Sequence, residues 1–248
     1  MKLKPIAYKF TRADTKKIKD LGYTIHIIGP ASFEKFMRTE FANFNLVLLL
    51  EELESTFAPT TTLNISRNLY VSKSPPSLRI LFVNDFKTED EAVVFDRKFE
   101  KKSKKTEINH SYCIIPAAHQ KKGLIKKVFQ ASLQQYINIG AGCIKVHAGL
   151  SGGGHVWARH GFVATDKKEV EVILEDARKK LPATDFAPVE HIFSKYYKDH
   201  PGGNAFPMIL WTNLPGMKDV LRGADWHGEI DLKNSNQFSN FMSYVFRN

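Results

Sequence analysis

The chain has 248 residues, of which 43% are hydrophobic and 12% aromatic, and this composition excludes a disordered chain and predicts a folded core. Its longest aliphatic run, residues 46–50, is far shorter than the roughly 18 residues of a membrane span. Residues 1–17 lack the apolar core of a secretory signal. We therefore expect a cytoplasmic protein without membrane association. The net charge of +10 favours a partner that carries phosphate groups.

The first third of the chain predicts one strand and two helices. Residues 23–29 (YTIHIIG) are typical of a short buried strand that ends at a glycine-proline pair. Residues 31–44 and 46–56 predict two helical segments, the second ending before Pro59. An apolar stripe at helical spacing in the first helix is predicted to belong to the core: Phe33, Phe36, Met37, Phe41 and Phe44.

The middle of the chain predicts antiparallel strands and then a strand-helix-strand unit. Short runs rich in β-branched and aromatic residues occupy 64–72, 77–85 and 92–100, and a lysine-rich turn at 101–105 leads into a strand at 106–116. A helix is expected over 121–140, followed by a buried strand at 143–149, and this order favours a right-handed crossover.

The last third predicts mostly helices. Residues 166–181 should form a helix capped by Asp166, and a second helix should begin at Pro188. Residues 201–207 predict an exposed loop, 207–213 a strand, and 236–246 a terminal helix.

The excess of basic residues is local. Residues 106–164 contain six basic side chains and one acidic side chain, Glu107, whereas residues 165–248 contain 11 basic and 12 acidic ones. This indicates a site for a phosphate-bearing partner, either a nucleotide-like cofactor or nucleic acid. The alternative is that these lysines only keep a helix face soluble.

Two cysteines, Cys113 and Cys143, are too few for a disulfide framework or a zinc site. Both lie in apolar stretches, which favours buried thiols in a reducing compartment over a redox pair. We expect no metal.

The segment CIIPAAHQKKGLIKKVFQ, residues 113–130, predicts an anion site. A strand ends at Pro116, and Gln120, Lys121, Lys122 and Gly123 then occupy the turn that enters a helix. The first N–H groups of a helix are unpaired and bind phosphate well, and a glycine lets the phosphate approach the backbone. The segment lacks the Gly-Lys-Ser/Thr ending of a Walker motif.

With this order of elements, the sequence resembles the GCN5-related N-acetyltransferase (GNAT) family. The resemblance covers residues 107–164 and rests on two motifs: the strand and proline before Gln120-x-x-Gly123, and Trp157 four residues before Gly161-Phe162. It implies a mixed α/β (α+β) fold with a mostly antiparallel sheet flanked by helices. Residues 1–164 would form the acyl-CoA-binding domain, and residues 165–248 a helical C-terminal extension packed on it.

The resemblance also implies a cofactor site for acetyl-CoA or another acyl-CoA in a cleft between the strands around Ile115 and Cys143. Its pyrophosphate would lie on the turn, and backbone N–H groups near Ile114 or Ile115 would hold the thioester oxygen. The cofactor-binding residues implied in this way are Ile114, Ile115, Gln120, Lys121, Lys122, Gly123, Leu124, Ile125, Lys126 and Trp157.

Two residues depart from the family pattern. Ile125 stands where the turn usually ends in glycine or alanine, and Trp157 stands where many members have a tyrosine that protonates the leaving thiolate. An indole N–H does not ionise near neutral pH and does not replace that acid.

The predicted activity is acyl transfer to a primary amine of a protein, an aminoacyl-tRNA or a small molecule. Histidines are natural bases for removing the amine proton. The candidates are His147, which is our first choice, His110 and His155, while solvent or Tyr112 would protonate the thiolate.

The sequence leaves one alternative of a different class open. A GNAT-like fold without transfer chemistry would bind nucleic acid or a protein through its basic face. Ile125, Trp157 and the positive charge favour that alternative, whereas the Gln120–Gly123 turn favours the enzyme.

Overall fold

The fold is that of a computed structural model, which describes residues 4–29, 32–103, 105–120, 122–149 and 152–246. The chain divides into two compact units, Met1–Gly142 and Cys143–Asn248. Each unit mixes α-helices with mostly antiparallel β-strands. The division lies earlier than the domain boundary predicted after residue 164, because residues 165–248 pack in one unit with residues 143–164.

The first unit contains a five-stranded sheet in the order β1-β2-β3-β4-β5. Strands β2 to β5 are antiparallel to their neighbours, as the sequence predicts, whereas β1 is parallel to β2. The five strands are β1 (Thr24–Ile28), β2 (Ile65–Lys73), β3 (Pro76–Asn84), β4 (Val94–Lys101) and β5 (Thr106–Ile114).

Strand β1 is correctly predicted as a strand but not as a buried one. It pairs with β2 on one side and lies at the end of the strand order of its unit. Ile27 and Ile28 are consequently 42% and 69% exposed. An apolar run is therefore an edge strand here, although such runs are more typical of the centre of a sheet.

Among the described residues, four helices accompany this sheet, and the starts of the first three follow from capping residues. Thr11 accepts a hydrogen bond from the backbone N–H of Asp14, while the Asp14 carboxylate accepts one from the Thr11 N–H, forming a capping box. Ser32 and Asn45 cap the next two helices. The helices are α1 (Arg12–Asp20), which the sequence did not predict, α2 (Phe33–Glu40), α3 (Leu46–Phe57) and α4 (Leu124–Asn138).

The predicted aromatic stripe lies in the core of this unit. Each of its five members is 4% exposed or less. One of its rings, Phe44, packs 5.0 Å from Phe99 of the sheet, which in turn lies 5.9 Å from Tyr136 of α4. The stripe therefore has a packing role, as predicted.

The second unit contains four short strands in the order β6-β9-β7-β8, all antiparallel. They are β6 (Ala141–His147), whose pairing with β9 begins at Cys143, β7 (Val163–Ala164), β8 (Phe206–Pro207) and β9 (His227–Asp231). The C-terminal extension was predicted to be mostly helical, and it also contributes β8 and β9 to this sheet. Strand β9 escaped prediction because only Gly228 and Ile230 are buried among its five mostly polar residues.

The described residues of this unit form five helices: α5 (Gly153–Arg159), α6 (Lys167–Lys180), α7 (Ala183–Asp199), α8 (Met217–Arg222) and α9 (Ser235–Phe246). Helix α6 begins as predicted, because the Asp166 carboxylate accepts a hydrogen bond from the Lys168 N–H. Helix α7 begins before Pro188, which lies inside it, because Pro182 precedes the first turn and accepts a hydrogen bond from the Phe186 N–H.

The strand predicted over residues 207–213 is mostly wrong. Only Phe206 and Pro207 pair with β7, and Met208–Trp211 then form a 3₁₀ turn that buries Trp211. Within the described parts of the chain, no helix is both long enough and apolar enough to cross a membrane.

Candidate functional site

The turn before α4 has the features of an anion site in the first unit. Gly123 is the N-cap of the helix and adopts the left-handed backbone conformation, with φ of +75°. Among the residues that the structure describes, no side chain caps the helix start and no acidic residue lies in its first turn. A Cβ added at Gly123 would have no heavy atom within 4 Å, so a ligand can approach the backbone here.

The side chains around this turn differ in their roles. The Gln120 amide Nε2 donates a hydrogen bond of 3.0 Å to the Ile115 carbonyl oxygen and so ties the turn to the end of β5. Lys122 is exposed, while Leu124, Ile125 and Lys126 are half-buried at the start of α4. Lys121, which the sequence also assigns to the cofactor site, lies outside the described residues.

Of the residues expected to hold the thioester, Ile114 is the last residue of β5 and pairs with Val94, and Ile115 follows it; both are half-buried. Cys143, expected on the other side of the cleft, is a buried residue of β6 in the second unit. Cys113 is half-buried; burial raises the pKa of its thiol, and the nearby Arg97 guanidinium opposes that rise.

His110 lies in the core of the first unit. It is 2% exposed, its Nε2 lies 2.8 Å from the Tyr136 hydroxyl, and its ring stacks on Phe129. An imidazole enclosed in this way has no path to an amine, so a packing role fits it better than the predicted catalytic one. Tyr112, two residues further on the same strand, is 50% exposed.

Strand β5 contains a β-bulge that the sequence did not indicate. Asp96 pairs with Tyr112 and Arg97 pairs with His110, so Ser111 is an extra residue on β5. Arg97 is 1% exposed, and its Nη1 donates hydrogen bonds to the carbonyl oxygens of Asp96 and Tyr112 at 2.9 and 2.8 Å. Bulges of this kind often occur next to active sites.

The second unit brings His147 into a hydrogen-bonded pair with a carboxylate. His147 is the last residue of β6, and its Nε2 lies 2.6 Å from Asp225 Oδ1. The side chains of His147 and Asp225 are 54% and 69% exposed. A Cβ added at Gly149 would lie 3.1 Å from Asp225 Oδ1, so the glycine leaves room for the pair. A carboxylate that orients an imidazole is the arrangement of a general base.

A second pair of the same kind lies beside the first. His227 is opposite His147 in the pairing of β9 with β6, and its Nδ1 lies 2.7 Å from Glu169 Oε1. The two imidazole rings are stacked, with centroids 4.3 Å apart and an interplanar angle of 1°. The sequence analysis missed Asp225, His227 and Glu169, although the histidine and acids in ADWHGEID offered a signal.

His155 lies in helix α5 rather than in the predicted glycine-rich loop. It is 9% exposed, and burial lowers the pKa of its imidazole, with the positive charges of Arg159, Lys218 and Arg222 adding to the effect. Burial therefore favours the neutral form of this imidazole.

Trp157, expected in the cofactor channel, packs against residues of its own unit. Its ring meets the Phe162 ring edge-on with centroids 5.3 Å apart and lies 5.4 Å from the His160 ring. The contact of Trp157 with Phe162 thus packs the end of α5 against the residue that precedes β7.

Among the described residues, no group of three or more histidine, cysteine, aspartate or glutamate side chains is arranged to hold a metal ion. Comparisons with protein-family models, with curated proteins and with solved structures gave no significant match. The chemistry therefore follows from the residues of each unit taken separately: an open helix N-terminus in the first unit, and two histidine-carboxylate pairs in the second.

Proposed function

We propose that the protein is an acyl-CoA-dependent N-acyltransferase with a GNAT-like fold, and that acetyl-CoA is its acyl donor. The first unit has the features of a donor site, and the second unit contains an exposed histidine that can act as a base. The observation that carries the proposal is the uncapped start of α4, where Gly123 leaves the backbone N–H groups open to a pyrophosphate.

Charge supports a donor site on the first unit. Residues 1–142 contain 23 basic and 14 acidic side chains, whereas residues 143–248 contain 13 and 12. An anionic donor therefore meets an attractive field at the first unit. The exposed carboxylate of Asp225 in the second unit instead suits a cationic amine.

The His147–Asp225 pair supports the chemical step. Asp225 holds the imidazole through Nε2, and His147 Nδ1 is left to accept a proton from the amine. The amine nitrogen then forms a bond with the thioester carbonyl carbon, the carbon-sulfur bond breaks, and an amide and a protonated thiol result.

A second candidate function is a basic module that binds nucleic acid and performs no transfer. The charge of the first unit favours it. A module that only binds nucleic acid does not require an oriented, exposed histidine-carboxylate pair.

The experiment that separates the two is a transfer assay with isotopically labelled acetyl-CoA and three classes of amine: a polyamine, a lysine-containing peptide and an aminoacyl-tRNA. Mass spectrometry detects the labelled amide. Transfer to one class that is lost in His147→Gln supports the enzyme. Tight binding of tRNA without transfer to any class would establish the basic module instead.

A further inference from the structure

One face of the sheet in the first unit is open to solvent. Successive residues of a strand point to opposite faces of a sheet. On β2 and β3, the side chains of one face are each 1% exposed or less: Leu69, Val71, Leu78, Ile80 and Phe82. The other face of these two strands carries half-buried or exposed side chains: Asn68, Tyr70, Arg79 and Leu81. This second face is therefore available to a ligand.

Three flat side chains lie in register on the open face. His26 of β1 pairs with Tyr70 of β2, and Tyr70 pairs with Arg79 of β3. The rings of His26 and Tyr70 are stacked, with centroids 4.6 Å apart and an interplanar angle of 12°. The Arg79 guanidinium carbon lies over the Tyr70 ring, 5.9 Å from its centroid. The three groups thus form a continuous stack across three strands.

Hydrogen bonds fix both ends of this stack. His26 Nε2 lies 2.9 Å from Asn68 Oδ1. The Arg79 guanidinium donates to both carboxylate oxygens of Asp96, at 2.8 and 2.6 Å. The Arg79 side chain is 45% exposed, whereas that of Asp96 is only 2% exposed. Because a carboxylate holds the edge of the guanidinium, its flat face remains suited to stacking.

The β-bulge of β5 adds another ring to the open face. Before the bulge, His110 pairs with Arg97, and both side chains are buried. Strict alternation would place Tyr112, two residues further on, on the same buried side as His110. The extra residue Ser111 instead puts Tyr112 opposite Asp96, where it is 50% exposed. The bulge therefore re-aims an aromatic side chain toward solvent.

These side chains form one row across all five strands of the first unit, which we call the sheet-face row: His26, Tyr70, Arg79, Asp96 and Tyr112. Its length is roughly 19 Å, since neighbouring strands lie about 4.8 Å apart. Strand β1 ends the strand order of the unit, and among the described residues no second ring stacks on His26. Nucleobases stack on aromatic rings and on guanidinium planes. The row therefore offers several stacking positions to bases.

Charge indicates which flat ligand suits the row. Residues 1–142 contain 23 basic and 14 acidic side chains, so the field of this unit attracts a polyanion. Within the row, however, Arg79 and Asp96 neutralise each other. Close by, Glu100 accepts hydrogen bonds from Lys98 and Lys102. Stacking, rather than ion pairs with phosphate, would then provide most of the binding free energy at the row itself.

We propose that the sheet-face row binds single-stranded nucleic acid, with bases stacked on His26, Arg79 and Tyr112. A duplex keeps the faces of its bases covered, so it cannot use the row in this way. The inference does not depend on acyl transfer or on the CoA site. It also differs from binding through a basic face, because the exposed rings, and not the lysines, select the ligand.

The test is a titration of the full chain with a fluorescently labelled single-stranded RNA of about 12 nucleotides and mixed sequence, followed by anisotropy. We expect His26→Ala and Tyr112→Ala each to raise Kd about 10-fold, because each removes one stacking ring. Arg79→Lys keeps the positive charge but loses the flat guanidinium, and it should also raise Kd. Tyr112→Phe keeps the ring and should bind as the wild type does. A duplex of the same sequence should bind at least about 10-fold more weakly.

Two control variants separate stacking from other effects. Lys16→Glu/Lys17→Glu reverses two exposed charges on α1 of the same unit and should change Kd less than about twofold at roughly 150 mM salt. His200→Ala removes an exposed histidine that is stacked on Tyr196 in the second unit, with centroids 4.4 Å apart, and should have no effect. Thermal melting of each variant checks that the fold is retained.

Salt dependence provides a second readout. We expect the affinity to fall only a few-fold between about 50 and 200 mM salt, whereas six or more phosphate contacts would lower it about 10³-fold or more. Equal Kd values for the wild type and both alanine variants would overturn the inference, as would equal binding of duplex and single strand or no binding of RNA. The titration contains no acyl donor, so its failure leaves the proposed transferase standing, and a failed transfer assay leaves this inference standing.

Discussion

Arg97 Nη1 donates a hydrogen bond of 2.8 Å to the carbonyl oxygen of Tyr112 across the β-bulge of the first unit. The same Nη1 also reaches the Asp96 carbonyl oxygen, so one buried donor serves the two backbone acceptors that face each other where the register shifts. The guanidinium lies 4.4 Å from the centroid of the Phe95 ring. Arg97 therefore holds the conformation of β5 just before its end at Ile114.

We expect Arg97→Ala to destabilise the protein by about 2–5 kcal/mol, because it leaves a cavity and removes the donor from a buried and a partly buried carbonyl oxygen. Urea unfolding measures the loss, and hydrogen exchange should become faster at residues 110–114. Arg38→Ala is the control, since that side chain is 45% exposed in its pair with Glu34 and should change stability by less than about 1 kcal/mol. Equal stability of the two variants would contradict this role of Arg97.

The Gly123→Glu substitution should abolish binding of CoA. It places a carboxylate where the pyrophosphate is expected and adds a side chain in a left-handed conformation. Isothermal titration calorimetry with CoA measures the affinity.

Gly140→Glu is the matched control, because Gly140 also has a positive φ and open space around its Cβ position but follows the other end of α4. If the two variants bound CoA with the affinity of the wild type, the proposed anion site would be in the wrong place. If both lost affinity equally, the effect would be one of folding.

Binding of CoA should weaken with salt, because the basic excess lies in the first unit. We expect the affinity to fall between about 50 and 200 mM salt, and Lys122→Glu/Lys127→Glu to weaken CoA binding further. Lys179→Glu/Lys180→Glu makes the same charge change at exposed positions of the second unit and should have little effect. Pantetheine, which lacks the pyrophosphate, should bind without this salt dependence.

His155 should make the second unit sensitive to acid. Its pKa is lower in the folded protein than in the unfolded chain, so the unfolded chain binds the proton more readily. The stability that the neutral imidazole contributes is complete above about pH 6.5 and is lost as the pH falls further.

The free energy of unfolding, measured by urea titration at several pH values, should consequently fall less on acidification in His155→Gln than in the wild type. His200→Gln is the control, because His200 is exposed at the end of α7, where its Nδ1 bonds to the Tyr196 carbonyl oxygen. Parallel pH curves for the wild type and His155→Gln would show that burial of this imidazole has no effect on stability.

The antiparallel strands of the first unit and most long helices followed from the sequence because their signals are local. Strands β2 to β5 show apolar residues at strand spacing between turn residues, and α6 has its cap at Asp166. The exposure of β1 depends instead on which strands lie beside it. The start of α7 and the 3₁₀ turn after β8 depend on packing around Trp211, whose indole Nε1 donates to the Val189 carbonyl oxygen.

The candidate site was predictable only in part for the same reason. Gly123 and His147 stand out in sequence, since a glycine among lysines and a histidine at a strand end are local patterns. Their partners come from distant segments: Asp225 is 78 residues from His147, and Glu169 is 58 residues from His227. Strand β9 places His227 opposite His147. This strand is too polar and too short to be recognised from sequence patterns.

Asp225→Asn should impair transfer almost as strongly as His147→Gln, although it changes one atom and leaves the histidine in place. An amide can donate a hydrogen bond to Nε2, which would move the ring proton to Nδ1, the nitrogen that must accept the amine proton. We expect kcat/KM for acetyl-CoA and a reactive primary amine to fall roughly 10²-fold or more in both variants.

His147→Gln should also remove the limb of the pH–rate profile that reports deprotonation of this imidazole. Asp219→Asn, at another exposed aspartate of the second unit, should leave rate and profile unchanged. An unaltered profile in His147→Gln would assign the histidine a structural role at the end of β6, and the base would have to be sought elsewhere.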